Sequence, residues 1–285
     1  MKLDIVLISY NQEQYIAQAV ESILMQRVKD DVQVQIIVAD DCSKDKTLEI
    51  IKSYEGKSPF PFVYLPIEQN MGHVRNYQRA FAVCEGDYIA ILEGDDWWTN
   101  PKHLQIQIDY LLEHNECVLT TTTPLTYNEQ EGYNNGQYNG TVDYVTIYTL
   151  RSLLNENHII NMSAIMIRNN VLKKITNDVY TVSLLDWLLY ILLSEHGVLS
   201  RLKINTSVYR VGVGLWENDF QQKGIDRIIE EYDTVLKHKY HNELVKHLSY
   251  QKKKKKSWKS IIKMYIPPIF VELYRLLIPN ILKSK

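Results

Sequence analysis

Three groups of carboxylates carry most of the chemical potential of this sequence. Asp40 and Asp41 open the run DDCSKDKT, Glu93, Asp95 and Asp96 stand in EGDD, and Asp186 is the sole charge in LLDWLLYILL. Acids gathered at one place repel one another unless something positive binds between them. Hard oxygen donors suit Mg²⁺ or Mn²⁺, which one or two carboxylates commonly hold together with a diphosphate. Asp186 is a different case. A lone buried carboxylate is costly unless it is paired or functional, and a functional one can take a proton as a general base. Each group also has a plainer reading. Ser43 or Asp45 can cap a following helix, Gly-Asp-Asp is turn-like, and Asp186 stands where a helix N-cap would.

Positioning these acids is the task of a regular alternation of elements. Apolar runs predict strands over Leu3–Ser9, Val34–Ala39, Phe62–Leu65, Tyr88–Leu92 and Val118–Thr123. Helical patterns fall between them over Tyr15–Gln26, Lys46–Tyr54, a stretch through Tyr77–Cys84, and His103–Glu113, where Pro101 suits the start. Strand and helix in alternation imply an α/β fold with a mostly parallel sheet covered on both faces. Such sheets bind ligands beyond the carboxyl ends of their strands. Ser9-Tyr10-Asn11, Asp40–Thr47 and Glu93–Asp96 each follow a strand, so they converge on one edge.

The pattern breaks at Pro124. Residues 127–143 are polar with two Asn-Gly pairs and read as a mobile loop or irregular hairpin. Strands are expected over Ser163–Arg168, Val198–Ile204 and Ser207–Val211, with helices over Asp186–Leu193 and Ile225–His238.

Composition narrows the class. Over 285 residues, 45% hydrophobic and 23% charged content excludes wholesale disorder. The net charge of -2 gives no bulk attraction for nucleic acid. Residues 251–285 nevertheless carry +9 against -11 on the rest, which points to an anionic surface partner. Cys42, Cys84 and Cys117 are too few for a disulfide framework or zinc site and fit a reducing compartment, with Cys84 and Cys117 as buried thiols. No secretory leader or membrane-spanning run is expected.

The stretches LISYNQEQYIAQAVESILMQ, IIVADDCSKDKTLEII, NMGHVRN and GDYIAILEGDDWWTNPKHL, in this order and spacing, resemble the family 2 glycosyltransferases. The resemblance is strong over residues 3–115, weaker over 160–216, and nearest to bacterial enzymes of surface-polysaccharide synthesis. It implies a GT-A fold. Residues 1–115 would be the nucleotide-sugar-binding half and 116–217 the acceptor-binding, catalytic half, followed by a helical extension at 218–250 and a basic amphipathic tail at 251–285. It further implies an inverting transfer from a UDP-linked sugar to a hydroxyl of a glycan or polyprenyl-diphosphate-linked acceptor. Tyr10 would lie along the base with Ser9 nearby. Asp40 and Asp41 would meet uracil or ribose, Arg75 and Asn76 would lie near the donor, and Glu93 would begin the family's Asp-x-Asp motif. Asp95, with Asp96 second, would hold Mg²⁺ or Mn²⁺, and Asp186 would be the base. The chain departs from the family at Glu93, where Asp is commoner, at Leu185, where Glu is common, and at Gly212, where many relatives have His. Arg210 is open between a phosphate contact and a structural role. His103, His158 and His196 lack metal-ligand spacing and read as surface or structural.

Other classes compete. A dehydrogenase or nucleotidyltransferase would want a glycine-rich turn where this chain has Ser9-Tyr10-Asn11. A non-catalytic sugar- or membrane-binding protein on the same scaffold would not need Asp95, Asp96 and Asp186. In the tail, Lys252–Lys256 precede a segment broken at Pro267 and Pro268, with Ile269, Phe270, Leu273, Leu276 and Leu277 on one helical face. That face either docks on the protein's own core or lies on the anionic inner leaflet of the cell membrane, which would make this a cytoplasmic, peripheral membrane protein.

Overall fold

The computed structural model describes residues 1–133, 145–159, 161–213 and 227–246. In chain order the first half comprises β1 (Lys2–Ser9), α1 (Ile16–Leu24), β2 (Gln33–Asp40), α2 (Thr47–Lys52), β3 (Phe62–Tyr64), α3 (His73–Ala82), β4 (Tyr88–Glu93), β5 (Trp97–Trp98) and α4 (His103–Glu113). The second half comprises β6 (Cys117–Thr122), β7 (Leu125–Asn128), β8 (Gly132–Tyr133), β9 (Val145–Tyr148), α5 (Leu150–Asn155), β10 (Ile165–Arg168), α6 (Asn169–Leu172), α7 (Asp186–Ser194), β11 (Val198–Leu202) and β12 (Ser207–Arg210).

Eight strands form the main sheet in the order β3-β2-β1-β4-β10-β6-β11-β9. β3, β2, β1 and β4 are mutually parallel; β10 runs against both β4 and β6, and β9 runs against β11. The sheet is therefore mixed but mostly parallel, flanked by helices, which is a GT-A architecture. Strand alternation divides the core. Leu3, Ile5 and Leu7 of β1 face α1 and α4, while Val6 and Ile8 face α3 and α7. Both faces of β1 are buried, which is why its sequence reads as a continuous apolar run.

Register delivers the chemistry. Ser9 pairs with Asp40 and Ile8 pairs with Glu93, so the loops after β1, β2 and β4 open on the same edge. β5, β12, β7 and β8 make a second, four-stranded sheet beside that edge. The polar stretch after Pro124 is thus partly a hairpin, β7 against β8, and residues 134–144 lie outside the described part. Cys84 and Cys117 are buried thiols. No helix among the described residues is long and apolar enough to cross a membrane. The tail at 251–285, Tyr144, and Trp216 with Glu217 lie outside the described residues.

Candidate active site

The loops after β1 and β2 are laced together. The Asn11 amide donates to Ser43 Oγ at 2.9 Å, the Lys44 amide to Asn11 Oδ1 at 2.8 Å, and the Gln12 amide to Thr47 Oγ1 at 2.7 Å. Asn11 (φ 51°) and Cys42 (φ 62°) adopt the left-handed region, an uncommon conformation for residues with side chains. Asp40 accepts from Ser9 Oγ at 2.9 Å and from the Ser43 amide at 2.8 Å. Asp45 accepts from the Thr47 amide at 2.9 Å and the Glu13 amide at 3.0 Å, so it starts α2 and ties the first loop to it.

Asp41 is buried, and each of its oxygens takes a backbone amide: Met71 at 2.9 Å and Gly72 at 2.8 Å. It anchors the turn that opens α3. Arg75, next on that helix, is exposed and bonds Gln78 at 2.6 Å. Asn76 is buried and donates to the Ala39 carbonyl at 2.6 Å. Arg79 joins them by donating to Asn76 Oδ1 at 2.7 Å and to the Asp40 carbonyl at 2.5 Å. Tyr10 is half-buried beside these loops.

Glu93, Asp95 and Asp96 separate into distinct environments. Glu93 accepts from Tyr77 Oη at 2.8 Å. Burial, then the neighbouring Asp95 charge, pushes Glu93 up to about 7, and the Asp186 charge adds to this. Asp95 is half-buried and also held above the usual carboxylate range by burial. Asp96 is 1% exposed and committed to the protein on both oxygens. One accepts from the Arg210 amide at 2.8 Å, the other from Ser163 Oγ at 2.6 Å and Asn161 Nδ2 at 3.0 Å. Asp96 thus joins the turn after β4 to the helical turn at Met162–Ala164 that precedes β10, and to β12. Gly94 packs closely, since a Cβ there would stand 2.4 Å from Gln12 Oε1 and 2.7 Å from Ile16 Cδ1, and both side-chain ends would have to shift to admit one.

Arg210 proves structural. It is 4% exposed, donates to the Asp95 carbonyl at 2.9 Å and Gln18 Oε1 at 2.7 Å, and pairs with Glu129. Its guanidinium lies 4.5 Å from the Tyr15 ring centroid and 4.7 Å from that of Trp97, an aromatic enclosure that fixes the acid turn from below. Gly212 has φ +89°, so a histidine there would be strained.

Asp186 is the first residue of α7, one position past the N-cap residue Leu185, which makes no side-chain capping bond. Asn157 Nδ2 donates to its Oδ2 at 3.3 Å, while Oδ1 is buried without a partner among the described residues. Burial pushes its carboxyl up to about 6. The Asp186 charge is among the influences that raise Glu93, so the two carboxyls lie within electrostatic reach although 93 positions separate them in sequence. His103 is structural as expected: it is fully buried, stacks on Trp98 at 4.5 Å and contacts Thr206 Oγ1 at 2.7 Å.

Several participants escaped the sequence reading. Tyr77, Asn157, Asn161 and Ser163 reach the acids only through the tertiary fold. Asn76 and Arg79, one helical turn apart in α3, offered a weak signal that only burial makes interpretable.

The mixed sheet, with acids gathered at the carboxyl edge of its parallel strands, defines a GT-A-type scaffold. The model of the Glycosyl transferase family 2 matches residues 4–176, and the chain belongs to that family. Over 222 residues it is 29% identical to uncharacterized protein Rv1520 of Mycobacterium tuberculosis, covering 78% of this chain and 62% of the relative. The chain thus spans less than two thirds of that relative's length. A putative teichuronic acid biosynthesis glycosyltransferase, TuaG of Bacillus subtilis, is 34% identical over 115 residues, 40% of this chain and 43% of TuaG. The crystal structure of S. aureus TarS 1-349 in complex with UDP-GlcNAc superposes with a TM-score of 0.65 at 19% identity, covering 87% of this chain and 72% of that one. That likeness is one of fold.

Proposed function

We propose that the protein is an inverting glycosyltransferase that moves a sugar from a UDP-linked donor to a hydroxyl of a glycan or lipid-linked glycan in bacterial surface-polysaccharide synthesis. The observation that carries the reading is Asp186: a half-buried carboxyl, raised to about 6, whose Oδ1 has no partner among the described residues and whose charge reaches Glu93. A base is most effective with a pKa near the operating pH, where it is ionised yet still basic. Asp186 takes the acceptor hydroxyl proton on Oδ1 while Asn157 steadies Oδ2. The acceptor oxygen forms its bond to the anomeric carbon as the bond to the nucleotide diphosphate breaks on the opposite face. Direct displacement inverts that carbon and needs no enzyme nucleophile.

The donor side is built from the loops after β1, β2 and β4. In this reading Tyr10 and Ser9 flank the base, Asp40 and Asp41 shape its pocket, and exposed Arg75 approaches the donor phosphates. Both the donor set and the electrostatics fit a divalent cation, because crowded, partly desolvated carboxylates are relieved by positive charge. Asp95, the half-buried acid of the turn, would hold Mg²⁺ or Mn²⁺, with Glu93 behind it and Asp96 bracing the turn. When bound, such an ion supplies charge stabilisation to the leaving diphosphate. The basic tail would hold the enzyme on the cytoplasmic face of the cell membrane, beside a polyprenyl-diphosphate-linked acceptor.

Thermal-shift screening of nucleotide sugars with Mn²⁺ tests this reading, since a ligand that binds only the native state raises its stability. A UDP-sugar should raise the midpoint and, with acceptor, give product of inverted anomeric configuration. Retained configuration would refute the mechanism.

A further inference from the structure

A second cluster of metal-ligating side chains lies away from the acid turn. Residues 227–235 and 241–246 are helical and joined by a turn. Ile228, Ile229, Tyr232, Leu236 and Leu244 bury this segment in the core shared with α7. Lys239 and Tyr240 bind Glu195, just past the end of α7, at 2.9 and 2.6 Å. Asp186 begins α7, so this turn docks at the opposite end of that helix, roughly 12 Å along its axis.

Asp233, His238 and His241 converge on this segment. The His238 and His241 Nδ1 atoms lie 2.7 and 2.8 Å from Asp233 Oδ2, and the candidate ligand atoms fall within 4.8 Å of one another. Asp233 is only 7% exposed, and its Oδ1 is buried without a partner among the described residues. One carboxylate oxygen therefore serves two imidazoles while the other is left desolvated, an arrangement that a hydrogen-bonded helix cap does not require. Lys237 (φ 51°) and His238 (φ 59°) both take the left-handed conformation, and the His238 amide bonds the Asp233 carbonyl at 2.9 Å.

We propose that Asp233, His238 and His241 form a binding site for a transition-metal ion of the zinc class, which clips the 227–246 segment together and leaves a fourth position open. Two imidazoles and a carboxylate favour Zn²⁺ and its neighbours over Mg²⁺ or Mn²⁺. This separates the cluster chemically from the all-oxygen acids at Asp95. A tetrahedral ion with bonds of about 2.0 Å sets ligand atoms about 3.3 Å apart. The present spacing needs only a small outward swing of two imidazoles whose side chains are 73% and 57% exposed. The ion would also give the desolvated carboxylate a full charge partner.

The test is titration of the chelator-stripped full-length chain with ZnCl₂ by calorimetry, with Co²⁺ absorption as a report of the ligand sphere. One equivalent should bind, with a visible tetrahedral cobalt band. His238→Gln/His241→Gln should lose both, with the circular dichroism spectrum checking its fold, while Asp95→Asn should keep both. Asp233→Asn preserves the shape of the turn and should weaken zinc at least tenfold. No zinc bound by the native chain overturns the proposal. So does an unchanged cobalt band in either cluster variant, or zinc lost only in Asp95→Asn.

Discussion

Replacing Asn157 by Ala should move the pH dependence of transfer without touching any other acid. Asn157 is the one side chain that donates to Asp186 among the described residues, at 3.3 Å to Oδ2. Hydrogen bonds to charged groups contribute about 1.5–3 kcal/mol, and a contact this long belongs at or below the bottom of that range. Roughly 1.4 kcal/mol corresponds to about one pK unit. The bond favours the ionised form, so its loss should raise Asp186 from about 6 toward roughly 7. At pH 6 the ionised fraction then falls from about one half to about one in eleven, a loss of roughly fivefold; at pH 8 the loss stays below about a tenth. The assay is kcat/KM for acceptor from pH 5 to 9 at saturating donor. An unmoved acidic limb, or an equal loss at both ends of the range, would refute the assignment of Asn157 as the positioning partner of the base.

Further outcomes follow from the same geometry. Asp95→Ala should abolish the Mn²⁺-dependent thermal shift by UDP and leave the midpoint of the unliganded protein near wild type; full transfer by this variant in chelator would sink the metal reading. Asp96→Ala should instead lower stability by about 2–4 kcal/mol in denaturant melts, because it strands Ser163, Asn161 and the Arg210 amide. Asp186→Asn should stabilise the metal-free protein at pH 8. The folded-state value is raised above the unfolded one, so ionised Asp186 costs stability as pH rises from about 4 through about 6, on the order of 3 kcal/mol at most; a variant no more stable than wild type at pH 8 would contradict the desolvation argument. Deleting residues 252–285 should abolish sedimentation with anionic liposomes while sparing donor hydrolysis, and liposome binding that survives deletion or ignores salt would reject the membrane anchor.

Legibility differed along the chain for physical reasons. β1, β2 and β4 are buried on both faces, so each was visible as an apolar run, and the acids after them could be placed on one edge. β5 and β8, of two residues each, carry no periodicity, so the second sheet was not legible, and β9, at the edge of the main sheet, follows a polar stretch that hid it. β10 was expected as a strand, but its antiparallel insertion between β4 and β6 depends on long-range pairing that no local pattern encodes. Asp41 and Asp96 were recognisable as functional-looking acids; that both bind backbone amides of remote segments depends on tertiary contacts. Asp186 was singled out because a charge in an apolar run demands an explanation; the structure leaves the residue half-buried, with its Oδ1 atom enclosed and its carboxyl raised by burial to about 6.

The most direct measurement is single-turnover transfer by Asp186→Asn alongside donor affinity measured by calorimetry. Asparagine keeps the size and the Asn157 neighbour but cannot take a proton. Donor should bind as it does to the native enzyme, while the transfer rate falls by about 10² or more. Transfer at near-native rate with intact donor binding would show that Asp186 only begins a helix, and would contradict the account.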